Sequence, residues 1–345
     1  MVSTSVLALL ASAVPLTLAN YTLTKDYSGA AFFESFTFFT SEDPSHGFSE
    51  YVDESTANSS GLAGYVNTGK NPYAAFLGVD TTNVTPNGRP ALRILAKETY
   101  NHMLLIADFH HIPFGAGVWP AVWLLGTSSL WPAAGEIDII EGVNSQSSNR
   151  MTLHTNAGIT LANATMIGEV VTTDCNVAAT SNNQGCAVID PDSIPSFGAN
   201  FNKNHGGVFA TEYTSEAIKI WFFPRGDSIP DDISGGTPDP SGWGIPNALF
   251  ENAGDDGLDA HFCDLRIILN TDFCGDWAGN AEVWAADPAS AYADTCIDLV
   301  QNSPQAFTEA YWAVNFLKVF QDPRLGLGSK KRSASRRRGG AVLPA

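Results

Sequence analysis

The residues best equipped for chemistry lie in one short run, Trp131-Pro132-Ala133-Ala134-Gly135-Glu136-Ile137-Asp138-Ile139-Ile140-Glu141-Gly142-Val143-Asn144. Three carboxylates fall within six residues whose other members are all isoleucine. Alternation along a β-strand puts Glu136 and Asp138 on one face and Ile137 on the other. Glu141 is five residues past Glu136, so a regular strand would turn it to the isoleucine face. One β-bulge at Ile139-Ile140 returns it to the acidic face, and the sequence predicts that bulge. Acids crowded into one groove raise one another's pKa and need a use. Cleavage of a glycosidic bond supplies one: an ionised carboxylate acts as nucleophile and a protonated carboxyl as acid. With the bulge the two glutamate Cα atoms stand about 13 Å apart at ~3.3 Å per residue. Side chains leaning together across a curved strand can reach the ~5–5.5 Å carboxyl separation of a retaining enzyme. Asp138 between them would tune the nucleophile's protonation and ease its departure in a second step. A solvated acidic edge strand would not interleave its acids with isoleucine in this way. A calcium site would call for Asn, Gly and loop geometry.

The elements that must hold this run are short and strand-like, separated by Gly, Asn, Pro and Ser clusters. Candidate strands are Ser35–Thr40, Ala91–Ala96, Met103–His110, Val118–Leu125, Gly135–Gly142, Met151–Thr155, Val208–Tyr213, Ala217–Phe223, Leu265–Asn270 and Tyr311–Phe320. Glu212–Glu216 reads as a hairpin turn and Pro288–Gln301 as a helix. In the last strand Trp312, Val314, Phe316, Lys318 and Phe320 should share one face, with Ala313, Asn315, Leu317 and Val319 on the other. No repeat or interdomain linker is apparent. Many strands without intervening helices predict an all-β fold, a sandwich of two antiparallel sheets, and exclude a parallel α/β sheet.

Charge narrows the partner. The 345 residues carry 36 acidic and 18 basic side chains, a net charge of −18, and six of the basic ones lie in the last sixteen positions, where no acid occurs. Residues 1–329 therefore hold 12 basic against 36 acidic side chains, a net −24. A body this anionic repels phosphate backbones, so nucleic-acid binding is not expected and a neutral or cationic partner is. With 44% apolar and only 16% charged residues, the composition is that of a folded protein with a sizeable core.

Met1–Ala19 has no charged side chain, an apolar stretch over Val6–Leu18, and Thr17 and Ala19 at the −3 and −1 positions of a cleavage site. It reads as a secretory signal. No later segment approaches the ~20 apolar residues of a membrane span, so no insertion is expected. The expected organisation is a signal at 1–19, one catalytic domain at 20–323 and a disordered basic tail at 324–345, open to dibasic processing at Lys331-Arg332. Export makes disulfides admissible. Five cysteines allow 15 arrangements when one is left over, so spacing only ranks them. Cys175 with Cys186, and Cys274 with Cys296, each bracket a short irregular stretch. Cys263, in the apolar run Phe262–Asn270, is expected to be a buried free thiol. Zinc finds no CxxC or HxxxH spacing. Glycosylation sequons stand at Asn20, Asn58, Asn83 and Asn163.

The run GEIDIIEGVN resembles the signature of glycoside hydrolase family 16, and its surroundings resemble the fungal laminarinase-type endo-β-1,3(4)-glucanases. The resemblance extends to GVWPAVWLLG (117–126), MTLHT (151–155), IKIWFFPRG (218–226), TDFCGDWAG (271–279) and AYWAVNFLKVF (310–320), nearly the whole mature chain. After MTLHT, where such enzymes often have a further cysteine, this chain has Asn156-Ala157-Gly158-Ile159. The resemblance implies a β-jelly roll with a concave substrate groove and internal cleavage of β-glucans with retention. It implies Glu136 as nucleophile, Glu141 as acid/base and Asp138 as the carboxylate assisting the nucleophile. Trp123, Trp131 and Trp277 match substrate-stacking tryptophans, and sugar C–H faces stacking on indole suit an uncharged glucan. His154 is expected to hydrogen-bond the carboxyls or the sugar; Arg93 and Asn67 are candidate contacts to sugar hydroxyls. Trp119 and Trp312 are assigned to the core. No cofactor is required; the family admits a structural calcium, for which no ligand set can be picked out. The expected partner is a β-glucan polysaccharide or oligosaccharide, met by a secreted monomer. Two other readings stand beside hydrolysis: transfer of the glycosyl unit to a second sugar, and glucan binding without catalysis, which the retained Glu136, Asp138 and Glu141 disfavour.

Overall fold

A computed structural model describes residues 21–324, apart from 70, 181, 182, 227, 228 and 255. The expected signal segment 1–19, Asn20 of the first sequon and residues 325–345 of the expected tail lie outside the described residues. Two eight-stranded antiparallel sheets face each other, the sandwich that the strand pattern predicts and the β-jelly roll that the resemblance implies. From edge to edge, the first sheet runs Glu169–Thr172, Cys186–Ile189, Arg150–His154, Glu136–Glu141, Val118–Gly126, Leu265–Phe273, Arg93–Ala96 and Phe36–Phe38. The second runs Ala248–Glu251, Ala217–Pro224, Gly207–Tyr213, Met103–His111, Trp312–Gln321, Ala74–Leu77 and Ala63–Val66, with Thr22–Ser28 also pairing along Trp312–Gln321. Ile137, Val122, Leu124, Ile267 and Leu269 of the first sheet meet Leu105, Phe109, Phe209, Ile220 and Leu317 of the second in one buried core. In the first sheet each of these has a polar or aromatic neighbour one position away, turned to the groove side by the two-residue period. In the second sheet the alternate residues Leu104, Ile106, Val208, Ala210 and Trp221 form a smaller apolar cluster on its outer side.

Every candidate strand forms, with ends moved by at most three residues. The last strand corrects the expected faces. Trp312 and Val314 enter the main core, but so do Leu317 and Val319, while Phe316 and Phe320 pack on the outer side of the second sheet. The register shift at Val314/Phe316 inserts the extra residue, Asn315, that reverses the phase; the one at Ala313/Val314 places its extra residue in the neighbouring Met103–His111 strand. The expected helix over Pro288–Gln301 is also two pieces, a 3-10 turn at Pro288–Ala291 and a helix at Cys296–Asn302. Asp287 caps the turn and Thr295 caps the helix, so the polar residues between them begin a second element instead of extending the first. Cys175 is bonded to Cys186 and Cys274 to Cys296. Cys263 is free but only half-buried, its thiol beside the Asp259 carbonyl, because the apolar strand starts two residues later at Leu265. Asn58, Asn83 and Asn163 are all exposed. Among the described residues no helix is long and apolar enough to cross a membrane.

Candidate active site

The acidic run forms the fourth strand of the first sheet, Glu136–Glu141, flanked by Val118–Gly126 and Arg150–His154. Against Val118–Gly126 its register reads Glu136 opposite Leu125, Ile137 opposite Leu124, Asp138 opposite Trp123, Ile140 opposite Val122 and Glu141 opposite Ala121. Ile139 is the extra residue, so the bulge lies where the spacing requires it. Leu125, Trp123 and Ala121 share a face by the two-residue period, and directly opposed residues lie on one side of a sheet. Glu136, Asp138 and Glu141 therefore all point into the groove, while Ile137, Ile139 and Ile140 are buried in the core.

A bulge strips backbone groups of their ladder partners. On the side where pairing with Arg150–His154 stops at Asp138, the fully buried Asn149 side chain takes over, donating to the Ile139 carbonyl (2.8 Å) and accepting from the Glu141 N–H (3.0 Å). Nothing in the sequence distinguishes this asparagine from a loop residue. The turn into the strand needs Gly135: its φ is +78°, and a Cβ there would stand 2.5 Å from the His261 carbonyl oxygen.

Aromatic donors fix the carboxylates. Trp131 Nε1 donates to Glu136 (2.7 Å) and Trp119 Nε1 to Glu141 (2.9 Å). Trp119, expected in the core, is thus half-buried and part of the groove. Trp277 meets Trp119 edge-on at 5.7 Å, and the Arg150 guanidinium lies over Trp277 at 5.6 Å. Arg150 escaped notice in the sequence because it precedes its strand's apolar run; its charge acts on both Asp138 and Glu141. Trp123 donates to Asn270, and Arg93 is sandwiched between the rings of Trp123 and Phe39, 4.9 and 4.8 Å from their centroids. His154 lies opposite Glu136, its Nε2 3.1 Å from Asp138 Oδ2, although too poorly aligned to hydrogen-bond. The structure thus gathers Glu136, Asp138, Glu141, Trp123, Trp131, His154, Trp277 and Arg93 on one face of one sheet and its bordering loops. Asn67 is not among them. It follows the outermost strand of the second sheet, Ala63–Val66, and its side chain accepts from the Gly69 N–H in its own turn. Trp312 is fully buried, as expected of a core residue.

Burial and mutual repulsion dominate the electrostatics. Glu136 is pushed up to about 8, first by burial and then by the Asp138 charge, with His154 and the Trp131 N–H opposing. Asp138, 2% exposed, lies well above the ordinary carboxyl range through burial and the nearby Glu141. Glu141 is raised by burial, with the Trp119 hydrogen bond holding it down most, followed by His154 and Arg150. Three such groups titrate as a unit that keeps protons into the neutral range. Oxygens of Glu136 and Asp138 and a His154 nitrogen lie within 4.8 Å of one another, the one His, Cys, Asp and Glu grouping among the described residues compact enough for a metal ion. A set containing imidazole suits a transition metal better than calcium, which prefers oxygen alone.

Two glutamates and an aspartate on one face of a jelly-roll sheet, with tryptophans bonded to and bordering them, define a glycoside hydrolase. The chain belongs to glycoside hydrolase family 16: a family described as XgeA-like, catalytic GH16 domain matches residues 36–320. It is 45% identical over 324 residues to an endo-1,3(4)-β-glucanase of Arthroderma benhamiae, an alignment covering 92% of this chain and 68% of that one. Laminarinase 16A of Phanerochaete chrysosporium, solved with 6-O-glucosyl-laminaritriose in its donor and acceptor sites, is similar in structure. Its TM-score is 0.81 at 39% identity, covering 88% of this chain and all of that one. An elongating family 16 β-1,3-glucosyltransferase has a TM-score of 0.77 at 36% identity, covering 87% of this chain and all of that one.

Proposed function

We propose that the protein is a retaining endo-β-glucanase acting on internal β-1,3 or mixed β-1,3(4) linkages, with Glu136 as nucleophile and Glu141 as acid/base. The observation that carries this reading is the bulge at Ile139, which brings both glutamates and Asp138 to one groove. In the first step the Glu136 carboxylate attacks the anomeric carbon while the Glu141 acid protonates the departing glycosidic oxygen. In the second, the Glu141 carboxylate takes a proton from water, which displaces Glu136 and restores the original configuration. Asp138, the most enclosed acid, also lies well above the ordinary carboxyl range, and its carboxyl is in hydrogen-bonding reach of Glu136, so a proton carried by Asp138 can point at the nucleophile. Donating there leaves Glu136 ionised for attack and steadies it again as it departs. Trp119 biases Glu141 toward releasing its proton to the leaving group.

An uncharged glucan fits the anionic body, and the names of the similar enzymes fit the linkage. Export, through a signal at 1–19 with glycosylation at the exposed sequons, is part of the proposal. Two disulfides support it, since such bonds persist in oxidising compartments. Site roles for Trp123, Trp131, Trp277, His154 and Arg93 as sugar contacts belong to the same reading. Incubation with laminarin and lichenan tests it. New reducing ends of intermediate length are expected; products longer than the substrate would make transfer the main activity, and binding without products would remove catalysis altogether.

A further inference from the structure

A second pair of acids lies on the groove side: Asp272 on the third strand over from the one that carries Arg150, and Asp43 in the segment that covers that strand's end. Asp272, opposite Trp119 in the register, is 1% exposed and covered by the Ser41–Ser49 segment. That segment is laced to the end of the Leu265–Phe273 strand. Phe48 N–H donates to the Phe273 carbonyl, Asp276 N–H to the Ser45 carbonyl, and Ser49 Oγ to Asp272 Oδ1. Gly47 lies directly over the pair: a Cβ there would stand 2.0 Å from Asp272 Oδ1 and 2.2 Å from Asp43 Oδ2, so the two carboxyls face each other across a residue that has no side chain. Asp43 already accepts from Ser45 N–H, Ser45 Oγ and Gly47 N–H. Asp272 Oδ1 accepts from Ser49 Oγ and the Phe273 N–H, while Asp272 Oδ2 is buried without a donor among the described residues. Two carboxylates cannot both be ionised in this enclosure without strong repulsion. Asp272 is the member with an oxygen to spare for the proton, and burial followed by the Asp43 charge places it well above the ordinary carboxyl range.

What the pair clamps matters for the groove. Trp277 sits on the short helix Gly275–Ala278, immediately beyond the strand end that holds Asp272, and it packs on Trp119, which bonds Glu141. We propose that Asp43 and Asp272 share one proton as a clasp that positions the Trp277–Trp119 wall beside Glu141, and that loss of this proton loosens the wall and weakens substrate binding. These are positioning residues: they act through the wall and not on the sugar. The other titratable or charged groups around the clasp are His46, hydrogen-bonded to Asp276 at 2.9 Å, Tyr51 from the Ser49–Tyr51 strand, and Arg93, whose charge reaches Tyr51.

The inference rests on the groove being the substrate site, so its test includes a readout that needs no substrate. Wild-type, Asp272→Asn and Asp272→Ala proteins are compared from acid to alkaline pH by KM and kcat on laminarin and by tryptophan emission without sugar. In the wild type, emission and KM should change together as pH rises, with kcat changing less. Asp272→Asn still donates to Asp43 but cannot titrate, and should abolish that transition in both readouts. Asp272→Ala should raise KM about tenfold throughout, the fold-change that corresponds to losing one hydrogen bond from the wall's support. The same emission transition in Asp272→Asn as in wild type, or wild-type KM in Asp272→Ala, overturns the clasp. Should the alanine variant not fold, the asparagine comparison decides alone. Activity lost on every glucan with the emission result intact would instead refute the glucanase reading.

Discussion

Replacing Glu136 with Gln should stabilise the free protein, and only where Glu136 would otherwise have to ionise. The ordinary value for this carboxyl is 4.5, and in the groove it is pushed up to about 8. Below the lower value both folded and unfolded chains hold the proton, and Gln and Glu are equivalent. Above it the unfolded chain ionises while the folded one does not, so wild-type stability falls steadily as pH rises to about 8. At about 1.36 kcal/mol per pH unit this interval amounts to roughly 5 kcal/mol. Glu136 keeps a rim of solvent contact and shares its protons with Asp138, so a net of about 2–3 kcal/mol is the expected gain for Glu136→Gln. The Gln carbonyl can still accept from Trp131, so the substitution leaves no donor orphaned. For a domain of this size the gain corresponds to about 3–5 °C in Tm. Thermal unfolding of both proteins across pH should show melting curves that coincide in acid and separate toward pH 8, Gln above Glu. A difference of the same size at every pH, or a variant that melts lower than wild type in alkali, would refute the electrostatic account.

Further outcomes follow from the same geometry. Glu136→Gln and Glu141→Gln should each lower kcat by several orders of magnitude with unchanged circular dichroism; azide should rescue Glu136→Ala through an inverted glycosyl azide, and that product from a Glu141 variant would exchange the two roles. Trp119→Phe removes the hydrogen bond that most holds Glu141 down, so the alkaline limb of kcat/KM should move to higher pH; a limb that stays put assigns it to another group. Asn149→Ala orphans the bulge's Ile139 carbonyl and Glu141 N–H, with an expected loss of about 1–3 kcal/mol in denaturant unfolding and a fall in kcat larger than in KM. Asn67→Ala, remote from the groove, should leave KM within about twofold of wild type, since surface changes away from a site rarely matter.

The sequence speaks most clearly where one residue type is out of place. Acids among isoleucines could be satisfied only by a groove on one side and a core on the other, and the five-residue interval required the bulge. Trp312 could likewise be assigned to the core from its strand. Pairing partners were harder to see: Trp119 looked like its apolar neighbours until the register set it beside Glu141. Asn149 and Arg150 act through contacts that only folding creates, one on a bulge and the other across to Trp277. The strands Ala63–Val66, Ala74–Leu77 and Glu169–Thr172 escaped because they are short, and Glu169–Thr172, at a sheet edge, is largely exposed, without an apolar face. The last strand shows the reverse failure: a clean alternation in the sequence crosses a bulge at Asn315 that trades its faces.

The central claim is that Glu136 attacks the sugar, and covalent capture tests it most directly. A 2-deoxy-2-fluoro glucosyl donor carrying a good leaving group slows the second step, so the glycosyl-enzyme accumulates and its peptide can be sequenced by mass spectrometry. The label should sit on Glu136. A label on Glu141, or turnover by a wild-type enzyme that never forms a covalent adduct, would contradict the account.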